Sequence, residues 1–228
     1  MDSNISKELE YFKSLNLNID VTRGKPHGDQ LDLSKPILDD PLKSWVVDGS
    51  DIRNYGDPLG LQQARKLGAE ILDWQEELTI ACEQSSLLLI YQIITALFLH
   101  GLSQPWKSLT KPKIICPVPG FDRHFRIFED FGIEMLNLPL VGDGPDMEAF
   151  KELLDSHTEI VGIIAVPKHS NPTGDIYSED KLRAIYKLGA AYSKEFCFIF
   201  DHAYIVHDIA EDLATHPILK IAEEEGAL

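Results

Sequence analysis

The sequence has little cysteine: Cys82, Cys116 and Cys197 are the only three in 228 residues. They lie far apart, with no spacing that suggests a zinc site or a disulfide framework. Each sits in an apolar run, which predicts reduced side chains buried in a core. Basic residues are also scarce, 21 Lys plus Arg against 37 Asp plus Glu, for a formal charge of −16. Such a charge repels phosphate-rich polymers and argues against a nucleic-acid partner. No stretch approaches the roughly 18 apolar residues of a membrane-spanning helix, so no membrane partner is expected. The opening MDSNISKELEYF is polar and acidic, where an export signal is basic and then apolar, so a cytoplasmic protein is expected. No GxGxxG follows an early strand, which sets aside a nicotinamide dinucleotide oxidoreductase. No internal repeat is visible.

What is present is enough apolar material, 44% of residues, for a real core. One large α/β domain, alone or with a small appendage, is the expectation. Residues 1–15 read as a short helix. LNIDVTRGKPHGDQLDLSKPI, with four glycine or proline breaks, reads as an extended arm. From Leu59 to Trp74, Leu61, Ala64, Leu67, Ile71 and Trp74 recur at helical spacing. Ser85 and Ser86 then cap a helix, LLLIYQIITALFLHG, that is apolar nearly all round and is expected to lie against a sheet, with Gly101 as its stop.

Beyond Gly101 short strands and helices alternate. KIICPV, EMLNLPL, VGIIAVP and FCFIFD are the strand candidates. RHFRIFEDFG, MEAFKELLDS after Asp146, SEDKLRAIYKLGAAYS from about Ser178, and a last stretch within ATHPILKIAEEEGAL are the helices. Strand and helix in alternation imply a mostly parallel sheet covered on both faces. Ligands of such sheets sit beyond the carboxyl ends of the strands.

That rule singles out Asn171, in KHSNPTG just after one strand, and Asp201, which ends the next, with Tyr204 three residues on. An aspartate closing a run as apolar as FCFIF is costly to bury as an anion without a cation or several donors. The plainer reading is an Asp that caps the following segment.

The blocks TRGKP (22–26), RNYGDPLG (53–60), QSSL (84–87), CPVPGFDRHF (116–125), GPDM (144–147), VPKHSNPTG (166–174) and DHAY (201–204) appear in one order. With them the chain resembles the fold-type I, pyridoxal-phosphate-dependent aminotransferases, in the aspartate aminotransferase-like branch that opens with TRGKP. The resemblance implies a three-layer αβα large domain with a mostly parallel sheet. It also implies a boundary near residue 45: residues 1–45 would be an N-terminal helix and arm belonging to a small domain, and 46–228 a truncated pyridoxal-phosphate-binding domain. The implied reaction moves an amino group from an amino acid, aspartate being one candidate, to a 2-oxo acid. The implied partners are those substrates and either a second copy in a homodimer or a complementing C-terminal chain.

Residue by residue, the resemblance implies that Asp201 pairs with the pyridine nitrogen of the cofactor. Asn171 and Tyr204 would bond its phenolic oxygen, Ser85 and Ser86 would form the phosphate cup, and Tyr55 would reach the phosphate of a neighbouring subunit. Phe121 would stack on the ring, and Gly24 and Lys25 would lie in the arm over the substrate carboxylate. Plainer readings stand beside these: Phe121 as a core aromatic, and the two serines as a helix cap and nothing more. His124, His202 and His207 match no common metal-ligand spacing.

Two departures from the family pattern carry expectations of their own. The Schiff-base lysine follows the strand after Asp201 in the family, and here the only lysine beyond Asp201 is Lys220, expected to be a solvated surface residue. A truncated chain, inactive alone, is therefore expected; the alternative is a non-catalytic cofactor- or metabolite-binding module, or one half of a split enzyme. The strand expected at about Leu78–Cys82 would then lie at a sheet edge without its neighbour. In addition, Glu83 and Gln84 stand where the branch carries small or neutral residues, and a carboxylate there is expected to weaken phosphate binding.

Overall fold

The computed structural model describes residues 3–19, 24, 26–39, 44–47, 49–208, 210 and 216–228. It divides into two compact units, residues 1–55 and 56–228. In the first, α1 (Ser3–Ser14) is followed by α2 (Gly28–Asp32), α3 (Lys35–Asp39) and a small antiparallel pair, β1 (Val46–Val47) with β2 (Ser50–Asp51). The expected extended arm is therefore partly helical, because His27 and Gln30 form a reciprocal cap. Asp29 N donates to His27 Nδ1 at 3.3 Å, and His27 N donates to Gln30 Oε1 at 2.7 Å. Donors that would otherwise be orphaned at the helix start are thus satisfied. Most of TRGKP, Lys25 included, lies outside the described residues.

The second unit begins with α4 (Gln62–Leu72), a 3₁₀ turn (Glu76–Leu78), α5 (Ser86–Leu99) and a second 3₁₀ turn (Trp106–Ser108). The alternating part follows: β3 (Lys113–Val118), α6 (Asp122–Asp130), β4 (Glu134–Pro139), α7 (Met147–Ser156), β5 (Ile160–Ala165), α8 (Glu179–Tyr192), β6 (Cys197–Phe200) and α9 (Ile218–Glu224). Capping fixes several helix starts. Asp146 Oδ1 accepts from Glu148 N and Ala149 N at 3.0 and 3.2 Å, and Ser178 Oγ accepts from Lys181 N at 3.4 Å.

The four long strands form a parallel sheet in the order β4-β3-β5-β6. Side chains alternate across it, so neighbouring residues feed different cores. Ile115 and Ile163 pack with Phe150 of α7, Leu182 and Ile185 of α8 and Ile221 of α9. Ile114 and Ile164 pack on the other face with Ile90 and Ile94 of α5 and Ile127 and Phe128 of α6. Three layers, α on β on α, result. Gly162 has a specific reason to be glycine: a Cβ there would lie 2.1 Å from Cys197 O on the adjoining strand.

Several expectations need correction. Leu78–Cys82 is not a strand, because local partners take up its backbone. Arg65 donates to Thr79 O and Glu76 O, both at 2.8 Å, and Ala81 N donates to Leu59 O at 2.9 Å. Cys82 is consequently exposed rather than buried in a core, whereas Cys116 is buried and Cys197 half-buried. The helix α5 does lie against the sheet as expected, through Ile90 and Ile94, but it buries only that face. Ile94 is fully enclosed, but Leu88, Tyr91 and Ile93 remain 43–46% exposed. Among the described residues the sheet ends at β6. Asp201 N donates to Ala165 O at 2.9 Å, and in a parallel pair this turns the amides and carbonyls of Phe198 and Phe200 toward the open side.

Candidate active site

The loops that leave the carboxyl ends of β5 and β6 lie side by side, as the strand pairing Ala165↔Phe200 requires. The first loop closes on itself: Ser170 N donates to Asp175 O at 2.9 Å and Gly174 N to Ser170 O at 2.5 Å. Gly174 adopts φ +79°, a left-handed conformation that glycine reaches without a Cβ penalty. The quartet Asn171–Gly174 is therefore a tight turn, and the turn presents Asn171. Its amide Nδ2 donates to the Tyr204 hydroxyl of the second loop at 3.2 Å. Both side chains are half-buried.

Asp201 is only 7% exposed. Its Oδ2 lies 3.1 Å from His124 Nε2 and accepts from Ser86 Oγ at 3.2 Å, while Oδ1 accepts from Ala203 N at 3.1 Å. Burial alone pushes this carboxyl up. The bond and charge of His124, then Ser86, then the Ala203 amide outweigh burial and hold it below the ordinary carboxylate range. The site thus contains a buried carboxylate kept anionic by three donors. It is also no ordinary helix cap, since among the described residues 201–208 only turns follow it.

Sequence reasoning passed over His124 except as a rejected metal ligand. It is 3% exposed, sits on α6 just past the carboxyl end of β3, and meets Phe121 edge-on with ring centroids 5.1 Å apart. The available signal was its place: the rule that picked Asn171 and Asp201 applies equally to the loop after β3. Phe121, half-buried, is thereby connected to Asp201 through one intervening ring.

The serines divide their tasks. Ser85 is the N-cap of α5, its Oγ accepting from Leu88 N at 3.3 Å, and Ser86 turns its hydroxyl to Asp201. The helix N-terminus, with its unpaired amides and the positive end of its dipole, is thus drawn next to the carboxylate. An open hollow of about 480 Å³ runs from here along the open edge of β6 and the side of α5, lined by Ser86, Leu89, Ile93, Phe198, Phe200 and Asp201 among others, and Asn171, Tyr204 and Phe121 do not line it. Glu83, two residues before the cap, is exposed and takes φ +57°. Tyr55 and Gly24 belong to the first unit, where both are exposed, and Lys25 lies outside the described residues. Lys220 Nζ is 2.5 Å from Asp73 Oδ2, with half of its side chain exposed. Among the described residues no group of three or more His, Cys, Asp or Glu side chains is placed to hold a metal ion, and no helix is long and apolar enough to cross a membrane.

A sequence profile of the aspartate amino-transferase family matches residues 1–227. The chain belongs to that family. Among its relatives, an aspartate aminotransferase of Corynebacterium glutamicum is 38% identical over 213 residues, covering 91% of this chain and 49% of the relative. The crystal structure of an aspartate transaminase from the same species matches with a TM-score of 0.86 at 36% identity, covering 98% of this chain and 54% of that one. The α-aminoadipate aminotransferase LysN of Thermus thermophilus, solved with N-(5'-phosphopyridoxyl)-L-leucine, shares the fold, with a TM-score of 0.61 at 18% identity over 76% of this chain and 41% of its own. The chain therefore spans about half the length of the aspartate aminotransferases it matches.

Proposed function

We propose that this chain carries the pyridoxal 5'-phosphate-binding surface of an aminotransferase, acting on an amino acid and a 2-oxo acid. The observation that carries the reading is the buried, anionic Asp201 at the end of β6, beside the α5 N-terminus and one turn from Tyr204. The donor set fits the cofactor's three polar ends. Asp201 would hold a proton on the ring nitrogen, Asn171 Nδ2 and the Tyr204 hydroxyl would donate to the ring oxygen, and the amides that open α5, with Ser85 and Ser86, would face the phosphate. Phe121 would cover a ring face. When bound, the cofactor supplies an electron-withdrawing pyridinium that eases loss of the amino acid's α proton. His124 and Ser86 keep Asp201 anionic, so the carboxylate meets the ring nitrogen already charged. Gly24, Lys25 and Tyr55 remain proposed contacts, to substrate carboxylate and to a neighbouring subunit in a homodimer. A cytoplasmic location accompanies this reading.

A titration with pyridoxal 5'-phosphate and with pyridoxine 5'-phosphate, which lacks the aldehyde, tests it. Saturable binding of both, abolished in Asp201→Ala, is expected; equal affinity in wild type and variant rejects the reading.

A second reading, a cofactor- or metabolite-binding module or one half of a split enzyme, is favoured by one observation. The chain spans about half the length of the aspartate aminotransferases it matches. Mixing with a separately expressed C-terminal portion of an aspartate aminotransferase separates the two: turnover only in the mixture supports a split enzyme, and binding without turnover supports the module.

A further inference from the structure

We propose that Asp208 is a positioning residue that latches the loop after β5 to the turn after β6, so that Asn171 and Tyr204 are held as a ready pair for an oxygen acceptor. Identifying that acceptor as the cofactor's ring oxygen rests on the function proposed above. Both oxygens of the one carboxylate are engaged by consecutive residues of the other loop. Lys168 Nζ donates to Oδ2 at 2.8 Å, and His169 Nε2 lies 2.9 Å from Oδ1. Lys168 also donates to Ile205 O at 3.0 Å, next to Tyr204.

The latch is built rather than incidental. The Lys168 side chain is 4% exposed, and a buried ammonium is tolerated where a counter-charge and carbonyls surround it. His169 takes φ +54°, a conformation unfavourable for a residue with a Cβ. That backbone turn brings consecutive side chains, Lys168 and His169, onto one carboxylate. The links fall within three residues of Asn171 in one loop and within four of Tyr204 in the other. Asn171 and Tyr204 meet through one neutral hydrogen bond of 3.2 Å, which is weak by itself. Charge-assisted bonds are stronger than neutral ones, so the latch is the firmer tie between the loops.

Hydrogen exchange of the full chain tests the latch without any ligand. Asp208→Asn is expected to speed amide exchange about tenfold, the loss of one charge-assisted bond, in residues 168–175 and 202–207 together, with β3 unchanged. Asp208→Glu should restore much of the protection. His169→Ala, which leaves Lys168 paired, should give a smaller change of the same kind and guards against a global folding defect. Unchanged exchange in either loop overturns the proposal.

The positioning role is read with two probes, pyridoxine 5'-phosphate and its 3-deoxy analogue, which lacks the ring hydroxyl. Asp208→Asn should weaken the first about tenfold and the second less than twofold. Equal losses would mean the latch merely holds structure, and would overturn its role toward the ring oxygen. If wild type binds neither probe, the proposed function falls, and with it the identity of the acceptor, while the exchange experiment still decides the latch.

Discussion

Ser86 Oγ and Asp201 Oδ2 lie 3.2 Å apart, joining the first turn of α5 to the end of β6 across 115 positions of sequence. The contact ties two kinds of electrostatic site together. At one end are the unpaired amides of a helix start, suited to an anion; at the other is a carboxylate suited to a cation. A ligand that carries phosphate at one end and a protonated ring nitrogen at the other complements both. The hydroxyl between them also helps keep Asp201 charged.

The charge on Asp201 should be visible as a pH effect on stability. Its carboxyl is held below its ordinary value in the folded chain, so the folded state binds this proton less readily than the unfolded one. The sign follows: the contribution is fully present above the unfolded value, about 3.9, and is lost as pH falls through the lower folded value. Urea midpoints of wild type minus Asp201→Asn should therefore be constant from about pH 7 to 5 and shrink below about pH 4. Parallel curves for the two proteins would show that the carboxylate is not stabilised by His124 and Ser86.

Glu83 offers a separable pair of effects. Its φ of +57° is unfavourable for a residue with a Cβ by about 1 kcal/mol, and its carboxylate stands two residues before the Ser85 cap. Glu83→Gly should raise stability by about 0.5–1 kcal/mol and tighten pyridoxine 5'-phosphate. Glu83→Gln removes the charge and keeps the Cβ. Tighter binding by both variants assigns the effect to charge; binding unchanged in Gln means that the carboxylate points away from the phosphate site.

Much of this architecture is legible in the sequence, for identifiable reasons. Strand β5 reads as a continuous apolar run because both of its faces are buried, and Asp146 and Ser178 announce α7 and α8 because helix caps are local chemistry. Most of what is missed depends on contacts distant in sequence, and the cap at His27 is hidden instead by the glycines and prolines around it. Leu78–Cys82 has strand composition, but Arg65, fourteen positions before Thr79, claims its carbonyl. His27 and Gln30 cap a helix inside a segment whose glycines and prolines read as breaks. At the site, Asn171, Asp201 and Tyr204 stand out by position after strands, whereas the role of His124 depends on a contact 77 residues away. The Lys168–Asp208 tie, 40 residues apart, leaves no local trace either.

The thiols provide a check on the second unit. Burial pushes Cys116 up to about 12. Burial first, and Glu195 second, push Cys197 up to about 11. Neither forms much thiolate near neutrality, and both are shielded. Cys82 is exposed. A disulfide-exchange reagent at about pH 8, near the ordinary cysteine value, should label one thiol in the native protein, at Cys82 by peptide mapping, and all three in denaturant. Rapid native labelling of Cys116 would contradict its place in the core.

The whole site hangs on the registration of β5 against β6, and Gly162 is where that registration is most easily broken. A methyl group at this position would meet Cys197 O at 2.1 Å and Cys197 C at 2.9 Å, backbone atoms that cannot turn aside as a side chain would. Gly162→Ala must therefore push the strands apart, straining the Ile163↔Phe198 pairing and, further along, the Asp201 N to Ala165 O bond. We expect a loss of about 3 kcal/mol or more, with weakened binding of pyridoxine 5'-phosphate because the loops after both strands move. Gly56→Ala is the matched control, since nothing lies within 4 Å of a Cβ there, and it should change stability by less than about 0.5 kcal/mol. Equal stability of the two variants in urea would mean that β5 and β6 are not paired as described, and Asn171 and Asp201 would lose the scaffold that brings their loops together.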